Sequence, residues 1–131
     1  MYIVIIGCGK LGSRLAEEFS SQRHNVVVID KNPRALSVLS DRFNGIALQG
    51  EGISLDVLDK ANLSQADAVY GVTGNDNLNL VVTQMARKIF KVKKAIAQVY
   101  DETKAFLAKD KGIIVINRNN LFLNEFKKCI L

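Results

Sequence analysis

Short apolar runs alternate with segments of helical periodicity along the whole chain. The runs are rich in Ile, Val and Ala and are mostly continuous rather than alternating, which is typical of strands covered on both faces. Turn-forming and charged residues separate them from the helical segments. This pattern predicts six strands, at Tyr2–Ile6, Asn25–Asp30, Gly45–Gln49, Ala68–Thr73, Lys94–Tyr100 and Ile113–Asn117.

Six helices are predicted between and after these strands. The first has an apolar stripe repeating every four residues, and the second begins at a capping Asn followed by Pro. The fourth has an apolar stripe at Leu78, Val81, Val82, Met85 and Ile89. The predictions are a first helix with Leu11, Leu15 and Phe19, a second from Asn32-Pro33 through Leu36, Leu39 and Phe43, a third after Ser54, a fourth over Asn77–Lys91, a fifth from Thr103 to before Gly112, and a last over Leu121–Leu131.

The repeated strand–helix alternation predicts an α/β fold with a doubly wound, parallel, six-stranded sheet of Rossmann-like type. Helices should cover both faces of this sheet, joined by right-handed crossovers. The chain has 131 residues and shows no linker or composition break. We therefore predict one nucleotide-binding domain over residues 1–131, in which residues 119–131 form a terminal, oligomerising helix.

A glycine-rich turn, Gly7-Cys8-Gly9-Lys10-Leu11-Gly12, directly follows the first strand and opens the first helix. In dinucleotide-binding folds the first glycine of such a turn permits a tight bend, and the second leaves room for a pyrophosphate. The third lets the helix pack closely. The free N–H groups of the first helical turn then face the phosphates. The alternative is that these glycines only shape a strand-to-helix turn.

Asp30 ends the second strand, 18 residues after Gly12. A carboxylate at that place accepts hydrogen bonds from the adenosine ribose, and it would repel a 2′-phosphate. NAD(H) is therefore favoured over NADP(H), although Lys31 or Arg34 could pair with such a phosphate. The alternative role for Asp30 is a charge at the start of the helix that follows Asn32.

Two further loops follow strand ends on the side where open α/β sheets bind ligands. Gln49–Gly52, after the third strand, is placed to contact an adenine. Thr73–Asp76, after the fourth strand, should lie across from the glycine turn, with capping of the next helix as an equally good explanation. Lys10 either reaches a phosphate or is an ordinary exposed helix residue.

The remaining composition indicates neither a catalyst nor a metal site. Cys8, Cys129 and the single His24 form no metal-ligand spacing, and this cysteine usage is typical of a reduced, cytosolic protein. A redox-sensing thiol at Cys8 is the minor alternative. No apolar run approaches the roughly 18 residues of a membrane span. The net charge of +5 is concentrated near the predicted end of the fourth helix and near the end of the chain, which favours solvated helix ends over a nucleic-acid surface.

The sequence resembles the Trk-type regulatory domains, also called KTN or RCK domains, of bacterial potassium transporters and channels. The resemblance covers roughly residues 1–117, and three stretches carry it. Ordinary dehydrogenases do not share the last of them. The stretches are Leu48-Gln49-Gly50-Glu51-Gly52, Ala66-Asp67-Ala68-Val69 and Val72-Thr73-Gly74-Asn75-Asp76-Asn77-Leu78-Asn79-Leu80.

The resemblance implies a cytoplasmic subunit, peripheral on the inner face of the cell membrane, that forms homo-oligomers on a potassium transporter or channel. It implies an NAD(H) or ATP/ADP effector and no enzymatic activity. The two alternative functions are a small NAD-dependent oxidoreductase and a free-standing NADH redox sensor. Both are less favoured, because dehydrogenases usually place their catalytic groups in a second domain and NADH-responsive repressors need a DNA-binding module. Together with Gly12 of the turn, the expected ligand contacts are Gly7, Gly9, Lys10, Leu11, Asp30, Lys31, Gly50, Glu51, Thr73 and Gly74.

Two places depart from the family pattern. The usual Ala-Arg of the fifth strand is Ala97-Gln98, and the usual Pro-Glu after the sixth strand is absent from Asn117-Arg118-Asn119-Asn120. The sequence therefore does not support an acidic ligand or ion contact after the sixth strand. The terminal helix is expected to place Phe122, Phe126, Cys129 and Ile130 on one apolar face that meets a partner, or else folds back on its own sheet.

Overall fold

A computed structural model describes all residues from Met1 to Leu131. Six strands form one parallel sheet in the order β3-β2-β1-β4-β5-β6. The predicted fold class, a doubly wound Rossmann-like α/β domain, is confirmed. The strands are β1 (Tyr2–Ile6), β2 (Asn25–Asp30), β3 (Ile46–Gln49), β4 (Ala68–Gly71), β5 (Lys94–Val99) and β6 (Ile114–Asn117).

Polar side chains fix the start of five of the six α-helices. The side chains of Asn32, Ser54, Asn75, Asp101 and Asn117 each accept a hydrogen bond from a backbone N–H of the first turn. The first helix lacks such a cap. The helices are α1 (Lys10–Ser21), α2 (Pro33–Leu36), α3 (Leu55–Lys60), α4 (Asp76–Lys88), α5 (Glu102–Leu107) and α6 (Arg118–Lys128), with a short 3-10 helix at Leu63–Gln65.

Successive residues of the strands point to opposite faces of the sheet and build two apolar layers. Val4 and Ile6 belong to the larger layer, which α3, α4 and the segment after α5 complete. Ile3 and Ile5 belong to the smaller layer, packed by α1 and the segment around α2. Burial on both faces explains the continuous apolar runs of β1, β2, β4 and β5, whereas the edge strands β3 and β6 are largely exposed. No helix combines the length and the apolar character needed to cross a membrane.

Four helix predictions were wrong in length. The fifth helix ends at Leu107, well short of Gly112. The second helix ends at Leu36 instead of continuing to Phe43. Hydroxyl groups redirect the chain there, since Ser37 Oγ donates to the Arg34 carbonyl at 2.7 Å and Ser40 Oγ donates to Glu17 of α1 at 2.6 Å.

The last helix begins three residues earlier than its predicted start at Leu121. The Asn117 side chain caps it by accepting from the Asn120 N–H at 2.9 Å. It ends at Lys128 rather than at Leu131. The fourth helix ends at Lys88, short of the predicted Lys91, which has a positive φ of 60°.

Candidate functional site

The glycine turn connects β1 to α1 at the point where the strand order reverses. Gly7 has a φ of +107°, and a β-carbon there would lie 2.9 Å from the Thr73 nitrogen. A β-carbon on Gly12 would lie 1.8 Å from the Gly7 carbonyl oxygen, so this glycine lets the helix close onto the turn. A β-carbon on Gly9 would meet no atom within 4 Å. Gly7 and Gly12 are therefore required by the fold, while the fold leaves open space at Gly9.

Asp30 anchors this turn. One carboxylate oxygen accepts the Cys8 N–H at 2.8 Å, and the other accepts the Asn32 N–H at 2.8 Å. The second bond confirms the interpretation of Asp30 as a charge at the start of α2. Each oxygen keeps a further lone pair, and the carboxylate also lines the cleft beside the turn.

A cleft of about 430 Å³ lies at the carboxyl ends of β1, β2 and β4. Its polar wall combines the glycine turn, the end of β2, and the loops after β3 and β4. This is the crevice in which open α/β sheets bind ligands. Of the predicted ligand contacts, Gly7, Gly9, Asp30, Lys31, Glu51, Thr73 and Gly74 line it.

A second cavity of about 640 Å³ continues from this cleft toward β5, β6 and α6. The two share Gly9, Val72, Thr73 and Gly74. The predicted contacts Lys10 and Leu11 line this second cavity and not the first.

Gly12 and Gly50 line neither cavity. A β-carbon on Gly50 would lie 2.5 Å from a Val57 methyl, so this glycine permits α3 to pack closely. As ligand contacts, both residues stay predictions.

The side chain of Asn79, a fully buried residue of α4, holds the loop after β4 through hydrogen bonds. Its Oδ1 accepts the Thr73 N–H at 2.9 Å and the Thr73 hydroxyl at 2.7 Å. Its Nδ2 donates to the carbonyls of Thr73 and Gln98 at 3.0 and 2.9 Å. One side chain thus joins the rim of the cleft to the end of β5. Asn75 caps α4 and also lines the cleft, so the two explanations of this loop are compatible.

The predicted apolar stripe of α4 was therefore only partly right. Asn79, Val82, Thr83 and Ala86 are its buried residues, whereas Val81 and Ile89 are exposed. Periodicity of apolar residues cannot find a buried Asn, because its polar atoms are satisfied by backbone groups that are distant in sequence.

The Cys8 thiol lies in the smaller apolar layer beneath the turn. Burial raises its pKa to about 11, and the negative charges of Asp30 and Glu17 add to the effect. A thiol with this pKa is almost entirely protonated at neutral pH, which makes it a poor nucleophile. The geometry therefore disfavours a redox-sensing role for Cys8.

Thiol labelling checks this assignment. In the folded protein at pH 8, a reagent such as DTNB is expected to modify the exposed Cys129 rapidly and Cys8 only after denaturation. A Cys129→Ser variant should therefore show almost no rapid reaction. Fast labelling of that variant would contradict a buried, protonated Cys8.

The other candidate groups lie away from the cleft. His24 directly precedes β2, at the amino ends of the strands and so away from the cleft. Its Nδ1 lies 3.1 Å from the Met1 amino group. Arg87 is one of the basic residues near the end of α4. It donates to the carbonyls of Val92 and Lys93 and so stabilises the turn that follows α4. No group of three or more His, Cys, Asp or Glu side chains could hold a metal ion.

Comparison with known proteins identifies the family. The model of the TrkA-N domain matches residues 3–119. A Trk system potassium uptake protein TrkA of Streptomyces coelicolor is 37% identical over 113 residues. That match covers 86% of this chain and 51% of the relative, so the chain spans about half of that protein.

Solved structures agree on the fold. The TrkA-N domain of the inner membrane protein ybaL from Escherichia coli superposes with a TM-score of 0.88 at 18% identity, covering 99% of this chain and 96% of that one. The GsuK channel bound to NAD has a TM-score of 0.73 at 20% identity, over 88% of this chain and 21% of that one. A GsuK structure bound to ADP has a TM-score of 0.72 at 21% identity, over 88% and 31%. This chain therefore belongs to the TrkA-N domain family, whose model matches residues 3–119.

Proposed function

We propose that the chain is a regulatory domain of a potassium uptake or channel system and binds an adenine nucleotide, NAD(H) or ATP/ADP, in the cleft at the glycine turn. The open space at Gly9, above the start of α1 and beside Asp30, carries this proposal. The TrkA name of the Streptomyces coelicolor relative and the NAD and ADP bound to GsuK support it. In this proposal the nucleotide is an effector, and the chain is not an enzyme.

The start of α1 suits a phosphate group. It is the one α-helix whose N-cap supplies no side-chain acceptor, since Gly9 occupies that position. The first N–H groups of a helix have no partner within the helix, and together with the helix dipole they attract anions. The other five helices satisfy one of these groups with their own capping side chain.

Asp30 is proposed to hold the adenosine ribose through its remaining lone pairs. A hydrogen bond to a charged group is worth about 1.5–3 kcal/mol, so Asp30→Ala should weaken NADH and ADP binding roughly ten- to a hundredfold. Calorimetry measures this change, and thermal melting reports the loss of the Cys8 and Asn32 contacts separately. Wild-type affinity for NADPH equal to that for NADH would instead favour Lys31 or Arg34 as phosphate ligands.

We propose that the domain works as a homo-oligomer on the cytoplasmic face of a membrane potassium transporter or channel subunit. None of the residues of α6 is buried, so this helix does not fold back onto its own sheet. Phe126 is 74% exposed and Ile130 is 90% exposed, next to exposed Leu121 and Phe122. An apolar face of this kind is typical of a partner surface, and symmetric dimers are the commonest oligomers.

Light scattering tests the oligomer. The wild type is expected to be dimeric or larger at tens of micromolar, and Phe126→Asp should be monomeric because a charge replaces part of the apolar face. Phe106→Asp is the matched control, since Phe106 on α5 is 71% exposed. It should leave the mass unchanged. A wild type that stays monomeric with and without nucleotide would argue against this assembly.

A further inference from the structure

The charged residues that line the second cavity are all positively charged. Among its 15 lining residues the charged ones are Lys10 and Arg118, both cationic, and no carboxylate faces it. The adjoining cleft differs, because it contains Asp30 and Glu51 together with Lys31. A ligand that spans both therefore meets carboxylates at its adenosine end and uncompensated positive charge at its other end.

Arg118 is held in place by aromatic groups. Its Nη1 donates to the Tyr100 hydroxyl at 3.1 Å, and its guanidinium carbon lies 5.8 Å and 5.4 Å from the ring centres of Tyr100 and Phe122. The one ion pair of the structure joins Lys128 to Glu125. The positive charge of Arg118 thus lies beside two aromatic rings and has no acidic partner.

The sheet separates the backbone of Arg118 from that of the glycine turn by three strand spacings. Gly9 follows β1 and Arg118 follows β6, which are three strand spacings apart in the order β1-β4-β5-β6. At about 4.8 Å per spacing this separation is roughly 14 Å. Compared with ADP, ATP is longer by one phosphate group. A dinucleotide is longer by a whole second nucleoside, which is about as long as its adenosine half. With the phosphates on the glycine turn, a dinucleotide is the ligand whose far end approaches Arg118.

The walls of the second cavity suit a planar base. Nine of the 15 lining residues are hydrophobic, among them Leu11 of α1, Ile96 of β5, Ile116 of β6 and Phe122 of α6. The Tyr100 and Phe122 rings already hold the Arg118 cation. A cationic ring that entered the remaining apolar space would lose hydration without gaining a carboxylate partner, whereas a neutral ring would not. The oxidised nicotinamide ring is a cation, and the reduced ring is neutral.

We propose that Arg118 makes the second cavity selective for the reduced dinucleotide. This inference rests on the proposed function, because it assumes an adenine dinucleotide on the glycine turn. The phosphates compensate Lys10 when the ligand binds, so Arg118 is the cation that the nicotinamide meets. Repulsion of the oxidised ring, at several ångströms and in a partly exposed site, should favour NADH over NAD⁺ roughly three- to tenfold.

Calorimetry with NADH, NAD⁺ and ADP on three proteins tests this proposal. In the wild type we expect the three- to tenfold preference for NADH, weakening at high salt. Arg118→Met keeps a long apolar stem and removes the charge, so NAD⁺ binding should tighten until the preference is below about twofold. Arg118→Lys retains the charge and should retain the preference. ADP does not reach Arg118, and its affinity should be equal in all three proteins.

The outcomes separate this inference from the proposed function. Equal affinities of the wild type for NADH and NAD⁺, with ADP bound normally, would overturn the role of Arg118 and leave the nucleotide site standing. A loss of ADP affinity in Arg118→Met would place Arg118 at the phosphates and would also overturn it. Absence of binding by all three ligands would refute the nucleotide site and this inference together.

Discussion

A Gly9→Val protein is expected to fold like the wild type and to lose more than a hundredfold in affinity for ADP and NADH. The structure leaves the position of a Gly9 β-carbon empty to beyond 4 Å, and the backbone there is extended with φ −77° and ψ −159°. Because φ is negative, a valine there does not need the left-handed conformation that favours glycine. Its methyl groups would then occupy the space above the start of α1, where the phosphates are proposed to lie. Calorimetry measures the affinity, and circular dichroism with thermal melting reports the fold.

The neighbouring glycine supplies the matched control. A β-carbon on Gly12 would lie 1.8 Å from the Gly7 carbonyl oxygen, which is backbone and cannot move aside. Gly12→Ala should therefore lower the melting temperature markedly, whereas Gly9→Val should hardly change it. A folded Gly9→Val protein that still binds ADP with wild-type affinity would refute the glycine turn as the phosphate site.

The inner strands were predicted well because burial on both faces leaves a strong sequence signal, and the largely exposed edge strands β3 and β6 still carry short apolar runs. All six begin within one residue of the predicted start, and β1 and β2 match at both ends. The glycine turn was found because its spacing is local, so its strand–turn–helix context can be read directly. Asp30 was found for the same reason, at the end of an apolar run.

Other features depend on contacts between segments distant in sequence. The chain after the second helix is held to α1 by hydrogen bonds from Ser40 to Glu17, a contact that no local pattern contains, in addition to the local bond from Ser37 to Arg34. Arg118 and Tyr100 meet at the second cavity because β5 and β6 are neighbours. The sequence alone marked Arg118 as part of a departure from the family pattern. The sheet order was needed to show that Arg118 lines the same cavity as the glycine turn.

Asn79 is the clearest example of a residue whose contacts no local sequence pattern predicts. Its replacement is expected to cause the largest loss of stability. Replacing it by Leu keeps a similar volume but leaves the Thr73 N–H and the carbonyls of Thr73 and Gln98 without their partner. Buried groups left unpaired cost about 1–3 kcal/mol each. The total free energy of unfolding should fall by roughly 3–5 kcal/mol, and the melting temperature by on the order of 10 °C. Urea unfolding and thermal melting measure both quantities.

Thr83→Val is the matched control for Asn79→Leu, since Thr83 lies one turn further along α4 and is equally buried. Its hydroxyl donates to the Asn79 carbonyl at 2.7 Å, and losing that one donor should cost about 1 kcal/mol or less. If Asn79→Leu cost no more than Thr83→Val, Asn79 would not be the residue that holds the loop. Because Thr73 lines both the cleft and the second cavity, the Asn79 variant should also bind ADP more weakly at a temperature where it is still folded. Unchanged affinity in that folded variant would show that the loop keeps its position without Asn79.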